Sequence, residues 1–135
     1  MTKNLALLCA LALLAAGCAA MMAGGGKAAP CNSHVCKVQV AVDGACRITV
    51  DPEDLPVAAD NKNAVIQWDI RGGQFVANGI AFKQDTGNEF HSPSHSPNRI
   101  TIVDRHEKTG VVYHYGVTVL QGGRACPTLD PTIMN

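Results

Sequence analysis

From Cys36 onward, apolar and polar residues alternate along the chain with a period of two, which is the period of a half-buried β-strand. The first run carries its valines at Val38, Val40 and Val42 and is followed by the turn-forming Asp43-Gly44-Ala45. The second run carries Cys46, Ile48 and Val50 and ends at Asp51-Pro52. The pattern therefore predicts two antiparallel strands joined by a short turn.

The length of this turn decides which faces the two apolar rows occupy. A two-residue loop at Asp43-Gly44 would place Val40 opposite Arg47, with the apolar rows on opposite faces. A three-residue loop places Val42 opposite Cys46, Val40 opposite Ile48 and Val38 opposite Val50. The second register buries one continuous apolar face, and three-residue hairpin loops are common. We therefore expect the second register.

Further short strands are predicted where the chain alternates or is rich in β-branched residues, namely at 66–70, 74–77, 80–83, 99–103 and 111–120. Asn78-Gly79 lies between two of these runs and is a tight-turn signal. No window shows an apolar helical face of ten or more residues, and Pro52 and Pro56 limit any helix in residues 51–63 to a short turn. About seven short strands predict an all-β fold, a single small antiparallel β-sandwich over residues 31–135.

The N-terminal residues are apolar in a different way, without alternation. Lys3 precedes an uninterrupted run of 12 apolar residues at positions 5–16. A membrane-spanning helix needs about 20 such residues. A secretory signal peptide has a positive start, an apolar run of about 7–15 residues and small residues after it. The sequence therefore predicts that residues 1–17 are an export signal and not part of the fold.

Small residues lead from this run into a cysteine, in the order Leu14-Ala15-Ala16-Gly17-Cys18. The segment resembles the lipobox of bacterial lipoproteins, although that family prefers leucine at the position of Ala15. The resemblance implies that the signal is cut before Cys18 and that Cys18 carries the lipid. Ala19 stands where an aspartate would favour the inner membrane, so the family rule implies the outer membrane, facing the periplasm. Cleavage after Ala20, as in an ordinary secreted protein, is the alternative.

Residues 18–30 are small and glycine-rich, and Lys27 is their single charged residue. This composition is typical of a flexible linker. The 12 residues that follow Cys18 have a root-mean-square reach of about 17–21 Å. A lipid at Cys18 would therefore hold the folded domain just off a membrane.

The chain has six cysteines, of which Cys9 lies in the export signal and Cys18 is the expected lipid site. The other four, Cys31, Cys36, Cys46 and Cys126, predict two disulfides in an exported protein and allow three pairings. In the expected hairpin register Cys36 lies about 20 Å along the ladder from the position facing Cys46. Bridged Cα atoms lie within about 7 Å. We therefore favour Cys46–Cys126, which ties the early hairpin to the C-terminal segment, together with Cys31–Cys36.

The strand pattern over residues 36–126 resembles that of two sandwich families. It is similar to the cupredoxins, whose copper centre needs a cysteine thiolate and two histidines, usually with an axial methionine. No histidine follows Cys126 before Met134, so this resemblance implies a fold without type 1 copper. Cys46, Trp68 and Cys126 are similar to the Cys…Trp…Cys order of immunoglobulin domains, without the tyrosine before the second cysteine. Residues 129–135 resemble the endings of small exported bacterial proteins.

The most suggestive local feature is a histidine pair in His91-Ser92-Pro93-Ser94-His95-Ser96-Pro97. In an extended chain the two histidines would lie about 13 Å apart, and zinc needs nitrogens at about 2.0–2.1 Å. They could share an ion only in a bent loop. We expect a solvated loop, and a copper or zinc site in residues 91–97 is the alternative. His34, His106 and His114 are expected on the surface.

Charge and motif content narrow the classes of function. Eleven basic and eleven acidic residues give a net charge of zero, which disfavours nucleic-acid binding. The sequence has no Gly-x-Ser-x-Gly elbow and no Gly-x-x-x-x-Gly-Lys phosphate loop, so we expect no enzyme activity and no cofactor. The expected function is a lipid-anchored envelope module that binds an envelope protein or a small ligand. A periplasmic copper or zinc binder is the alternative.

Overall fold

The computed structural model describes residues 27–135, so the predicted export signal, Cys18 and most of the predicted linker lie outside the described residues. The described chain folds into ten strands, and the all-β prediction is confirmed with more strands than expected. Within this range no helix is long and apolar enough to span a membrane. The strands are β1 (Val35–Val42), β2 (Ile48–Asp51), β3 (Asp54–Pro56), β4 (Ala64–Arg71), β5 (Gln74–Phe82), β6 (Phe90–Ser96), β7 (Arg99–Asp104), β8 (Val112–Gln121), β9 (Arg124–Ala125) and β10 (Thr132–Met134).

Two sheets form the sandwich. The first has the strand order β2-β1-β4-β7-β6 and the second the order β3-β10-β8-β5, with β9 paired to β8. Two strand pairs are parallel, β1 with β4 and β3 with β10, and the other strand pairs are antiparallel, so the sandwich is not antiparallel throughout. Parallel neighbours need a crossover connection. Here β3, which lies between β1 and β4 in the chain, belongs to the opposite sheet.

The apolar rows of the two sheets face each other and form the core. The first sheet contributes Val38, Val40, Ile66, Trp68 and Ile100, and the second contributes Phe75, Tyr115, Val117, Val119 and Ile133, all of them buried. At the centre, the Trp68 indole N–H donates to the Tyr115 hydroxyl at 3.1 Å, and the two rings meet edge to face. The indole N–H of Trp68, the largest side chain of the core, therefore has a hydrogen-bond partner on the opposite sheet.

The first hairpin has the predicted buried face and a different register. Val42 pairs with Ile48 and not with Cys46, a shift of two residues that leaves the same side chains facing inward. The Asp43 carboxylate accepts hydrogen bonds from the backbone N–H and the side chain of Arg47, at 3.0 and 2.8 Å. These bonds stabilise a turn of five residues, 43–47, which keeps Cys46 out of the ladder.

Both disulfides have the pairing that the sequence favoured. Cys31 is joined to Cys36 with Cα atoms 5.8 Å apart, and Cys46 is joined to Cys126 with Cα atoms 5.2 Å apart. Cys46 reaches its partner from the turn, at a φ of 63°, while the Cys126 N–H donates to the carbonyl of Val119 in β8. The long-range disulfide therefore holds one end of the sandwich, and the short one holds the start of β1 at the other.

Asn78-Gly79 does not form the predicted tight turn, because β5 continues through it. The pairing of β5 with β8 breaks between Phe75 and Ile80, which makes residues 76–79 a bulge. A Cβ atom on Gly79 would lie 3.0 Å from the carbonyl oxygens of Val76 and Thr118. Glycine at this position therefore permits the bulge to lie close against β8.

The segment expected to be a solvated loop, residues 91–97, is mostly a strand. It forms β6 at the edge of the first sheet, paired with β7. The register breaks between His91 and Ser94, so Pro93 lies in a bulge. A proline removes no ladder hydrogen bond there, which is why an edge strand accommodates this proline-bearing sequence.

Candidate binding cleft and buried polar cluster

The edge strands β5 and β6, one from each sheet, run side by side along one open side of the sandwich. Near one end the Phe75 N–H donates to the carbonyl of Pro97 at 2.8 Å. Near the other end the rings of Phe82 and Phe90 stack with centroids 4.2 Å apart. Between these two contacts both strands carry their bulges, and a cleft of about 360 Å³ opens between them.

The lining of this cleft is mostly apolar. Its apolar members are Trp68, Ala77, Ile80, Pro93, Ile100 and Ile102, and its polar members are Asn78, Ser94, His95 and Thr101. Trp68 and Ile100 belong to the core, whereas Ala77, Asn78 and Ser94 are exposed. A concave, largely apolar site of this size with a few polar groups is the usual form of a small-ligand pocket.

The two histidines of β6 have different partners. His95 lines the cleft, and its Nε2 lies 3.3 Å from the carbonyl oxygen of Phe75. His91 lies on the other side of the bulge, with Nδ1 2.9 Å from the Ser92 hydroxyl. In residues 27–135 no group of three or more His, Cys, Asp or Glu side chains is placed to hold a metal ion. His91 and His95 therefore belong to no such group.

The remaining histidines differ from one another. His34 and His114 are exposed, in agreement with the sequence analysis, whereas His106 is fully buried, so its expected surface position is wrong. The Asp104 carboxylate accepts a hydrogen bond from the His106 N–H at 2.9 Å, and His106 adopts a φ of 52°. This local turn directs the chain back over the end of the sandwich and places the imidazole inside.

His106 is part of a group of polar side chains that we call the buried polar cluster, consisting of Glu89, Asp104, His106, Tyr113 and Asn135. Glu89 Oε1 accepts hydrogen bonds from the N–H groups of Glu107 and Lys108, at 2.7 and 3.3 Å. The Asn135 amide donates to Glu89 Oε1 at 3.2 Å and to Asp104 Oδ1 at 3.1 Å. The two carboxylates are thus joined through one amide group.

Several atoms of the cluster have no hydrogen-bond partner among the described residues. They are Asp104 Oδ2, both ring nitrogens of His106, the Tyr113 hydroxyl and Asn135 Oδ1. The distance from His106 Nδ1 to Asp104 Oδ2 is 3.8 Å, which is longer than a hydrogen bond. Glu89, Asp104 and His106 are at most 2% exposed, so a substrate in solution does not reach these acid and base groups.

Burial raises the pKa of two groups in the cluster, Asp104 and Tyr113. It raises the pKa of Asp104, against the opposing hydrogen bonds from the His106 N–H and the Asn135 amide. Burial, followed by the negative charges of Glu89 and Asp104, raises the pKa of Tyr113. In the core beside the cleft, burial raises the pKa of Tyr115 to about 12, although its hydrogen bond with Trp68 opposes this change.

Sequence reasoning found neither of these features, and only one of them left a signal. Asp104 has the same parity along β7 as the buried Ile100, so strand alternation could have indicated that its carboxylate faces inward. The cleft depends on two bulges, and each bulge breaks the alternation from which strands are recognised. Of the predicted site residues, the four disulfide cysteines are described above, and Cys18 lies outside the described residues. The sequence matches no protein-family model and no curated protein.

Proposed function

We propose that this chain is an exported, lipid-anchored module of the cell envelope that binds a ligand or partner and catalyses no reaction. The observation that carries the binding role is the cleft between β5 and β6, which combines a concave apolar lining with a polar rim. Such a combination buries a ligand and orients it through a few hydrogen bonds. A membrane attached at Cys18 is the second partner in this proposal.

Export is supported by the two disulfides, because disulfides persist in oxidising compartments and are rare in the cytosol. The Cys31 N–H donates to the carbonyl of Pro56 at 2.8 Å, so the folded domain is held from Cys31 onward. The glycine-rich linker of residues 18–30 precedes this point. It would connect a lipid at Cys18 to a compact domain without constraining how the domain is oriented.

A role without catalysis is supported by the separation of reactive groups. The acid and base groups of the buried polar cluster are enclosed, and the apolar cleft lies along a different part of the sandwich. The one histidine that lines the cleft directs its Nε2 at the Phe75 carbonyl and not at a hydroxyl group. Among the described residues no serine or threonine hydroxyl of the cleft is hydrogen-bonded to this imidazole, so the cleft holds no nucleophile–base pair.

Intact mass spectrometry of the full-length chain, expressed with its own export signal, tests the anchoring. We expect a mature N-terminus at acylated Cys18 and retention in the membrane pellet through high-salt washing, since two or more acyl chains give stable attachment. Cys18→Ser should abolish lipid incorporation. Cys9→Ser, which changes the other cysteine that precedes the domain, is the matched control and should be processed normally. An unmodified mature N-terminus elsewhere would contradict the anchoring.

A further inference from the structure

We infer that the cleft between β5 and β6 binds a small, uncharged and mostly apolar molecule with a hydrogen-bonding group at one edge. The inference rests on the proposed binding function and specifies its ligand class. The charge of the cleft excludes ionic ligands, its backbone excludes an added peptide strand, and its shape favours a compact apolar molecule.

The charge of the lining excludes ionic ligands. None of the side chains that line the cleft belongs to Asp, Glu, Lys or Arg. The nearby charges of Asp69 and Arg99 pair with each other at 2.6 Å, and neither side chain lines the cleft. A charged ligand would lose its hydration without gaining a counter-charge, which is unfavourable.

The shape of the cleft favours a compact apolar ligand. Ile80 and Ile102 form half-buried walls, and Ile100 connects them to the core. A volume of about 360 Å³ lies near the lower end of the usual range for small-ligand pockets. Removing these isoleucine surfaces from water would stabilise the complex, and Asn78, Ser94 and Thr101 would supply hydrogen bonds at the rim.

The backbone excludes an added peptide strand. A peptide that extends a sheet needs a regular row of free N–H and C=O groups along an edge strand. Both edges here are bulged, β5 at residues 76–79 and β6 between His91 and Ser94. Pro93 also has no N–H to donate. Bulges and prolines at an edge oppose strand addition, and the remaining occupant that fits is a small molecule.

The test compares two fluorescent probes that share one ring system, neutral N-phenyl-1-naphthylamine and anionic 8-anilinonaphthalene-1-sulfonate. Trp68 is the single tryptophan of the chain and lines the cleft, so energy transfer from its indole reports a probe bound nearby. With the mature exported protein we expect saturable binding of the neutral probe at one site. Its affinity should exceed that of the sulfonate by about tenfold or more, equivalent to about 1.4 kcal/mol.

Two alanines of β5 give a matched pair of variants. Ala77 and Ala81 are both exposed, and only Ala77 lines the cleft. Ala77→Phe should fill the cleft and weaken binding of the neutral probe about tenfold or more, whereas Ala81→Phe should leave the affinity within about twofold. Ser94→Phe blocks the cleft from β6, and serves if Ala77→Phe fails to fold by circular dichroism.

The outcomes separate this inference from the function on which it rests. If the sulfonate binds as tightly as the neutral probe and Ala77→Phe blocks both, the cleft is a binding site and the ligand class is wrong. If the cleft variants and Ala81→Phe bind both probes alike, the probes bind elsewhere or not at all. That result overturns the inference and removes the observation that carries the binding role, while the lipid measurement at Cys18 stands independently.

Discussion

The buried polar cluster and the cleft both depart from the usual pattern of burial. The cluster buries charged and polar side chains, and the cleft exposes apolar ones. The cluster encloses Glu89, Asp104 and His106 at one end of the sandwich. The cleft leaves isoleucine side chains partly open to water along one side. Polar residues are thus buried where the chain is irregular and closed, and apolar residues are accessible where it is irregular and open.

The two regions differ in how the backbone N–H and C=O groups of their irregular segments find hydrogen-bond partners. Residues 105–111 after β7 have no strand partner over most of their length, and buried N–H groups need acceptors. Glu89 supplies one from its side chain and another from its backbone carbonyl, which accepts from the Arg105 N–H at 2.8 Å. At the cleft, by contrast, the bulge residues Ala77, Asn78, Ser92 and Pro93 are exposed, so water can hydrogen-bond to their backbone. A buried carboxylate is therefore needed in one region and not in the other.

Removing the Glu89 side chain should have the largest effect. In Glu89→Ala the N–H groups of Glu107 and Lys108 and the Asn135 amide all lose an acceptor. A buried donor left without a partner costs about 1–3 kcal/mol, and these three donors are partly buried, so we expect the free energy of unfolding to fall by about 3 kcal/mol in urea denaturation. Glu107→Ala is the control and should cost less than about 1 kcal/mol, because its weak pair with Arg105 is exposed. Similar losses in both variants would show that Glu89 does not support the closed end.

The two tyrosines of β8 allow a smaller and sharper comparison. The Tyr115 hydroxyl, beside the cleft, accepts from Trp68, while the Tyr113 hydroxyl, in the cluster, has no partner among the described residues. Tyr115→Phe should lower the free energy of unfolding by about 1 kcal/mol. Tyr113→Phe should leave it unchanged or raise it, because a buried hydroxyl without a partner is itself unfavourable. An equal loss in both variants would indicate that an ordered water completes the cluster.

These two regions also show how far the sequence could be interpreted. Strand alternation identified the fold class because most of the chain keeps one face buried, as in Val38, Val40 and Val42. The disulfide pairing was correct even though the hairpin register was not. The register depended on the Asp43 carboxylate, whose hydrogen bonds with Arg47 lengthen the turn. Side-chain contacts of this kind do not follow from a hydrophobic pattern.

The candidate site was less accessible from the sequence for a related reason. The cleft forms where Asn78-Gly79 and Ser92-Pro93 interrupt their strands, and isolated signals of this kind are typical of turns. Only pairing with β8 and β7 makes them bulges within strands. Likewise, His106 lies in a charged segment that predicts exposure, and its burial depends on Asp104, Glu89 and Asn135 coming from three separate parts of the chain.

The smallest effect expected is a pair of opposite pH dependences at two aspartates, one in the cluster and one on the outer face near the cleft. Burial raises the pKa of Asp104 above its ordinary value of 3.8. Burial also opposes ionisation of Asp69, but hydrogen bonds from Gln67 and Arg99 outweigh it and lower the pKa of that carboxyl. The folded protein therefore holds a proton at Asp104 more firmly than the unfolded chain does, and at Asp69 less firmly.

Linkage gives the sign of each effect. Asp104 makes the protein less stable as the pH rises from 3.8 through the raised pKa of the folded state. Asp69 contributes stability that is present above pH 3.8 and is lost as the pH falls through its lowered pKa.

Urea denaturation of the wild type, Asp104→Asn and Asp69→Asn between about pH 2.5 and 6 measures both effects. The stability of the wild type relative to Asp104→Asn should decrease with rising pH, and relative to Asp69→Asn it should increase. Because Glu89 and His106 also face Asp104, curves for Asp104→Asn that run parallel to the wild type would mean that these neighbours cancel the cost of burying its charge.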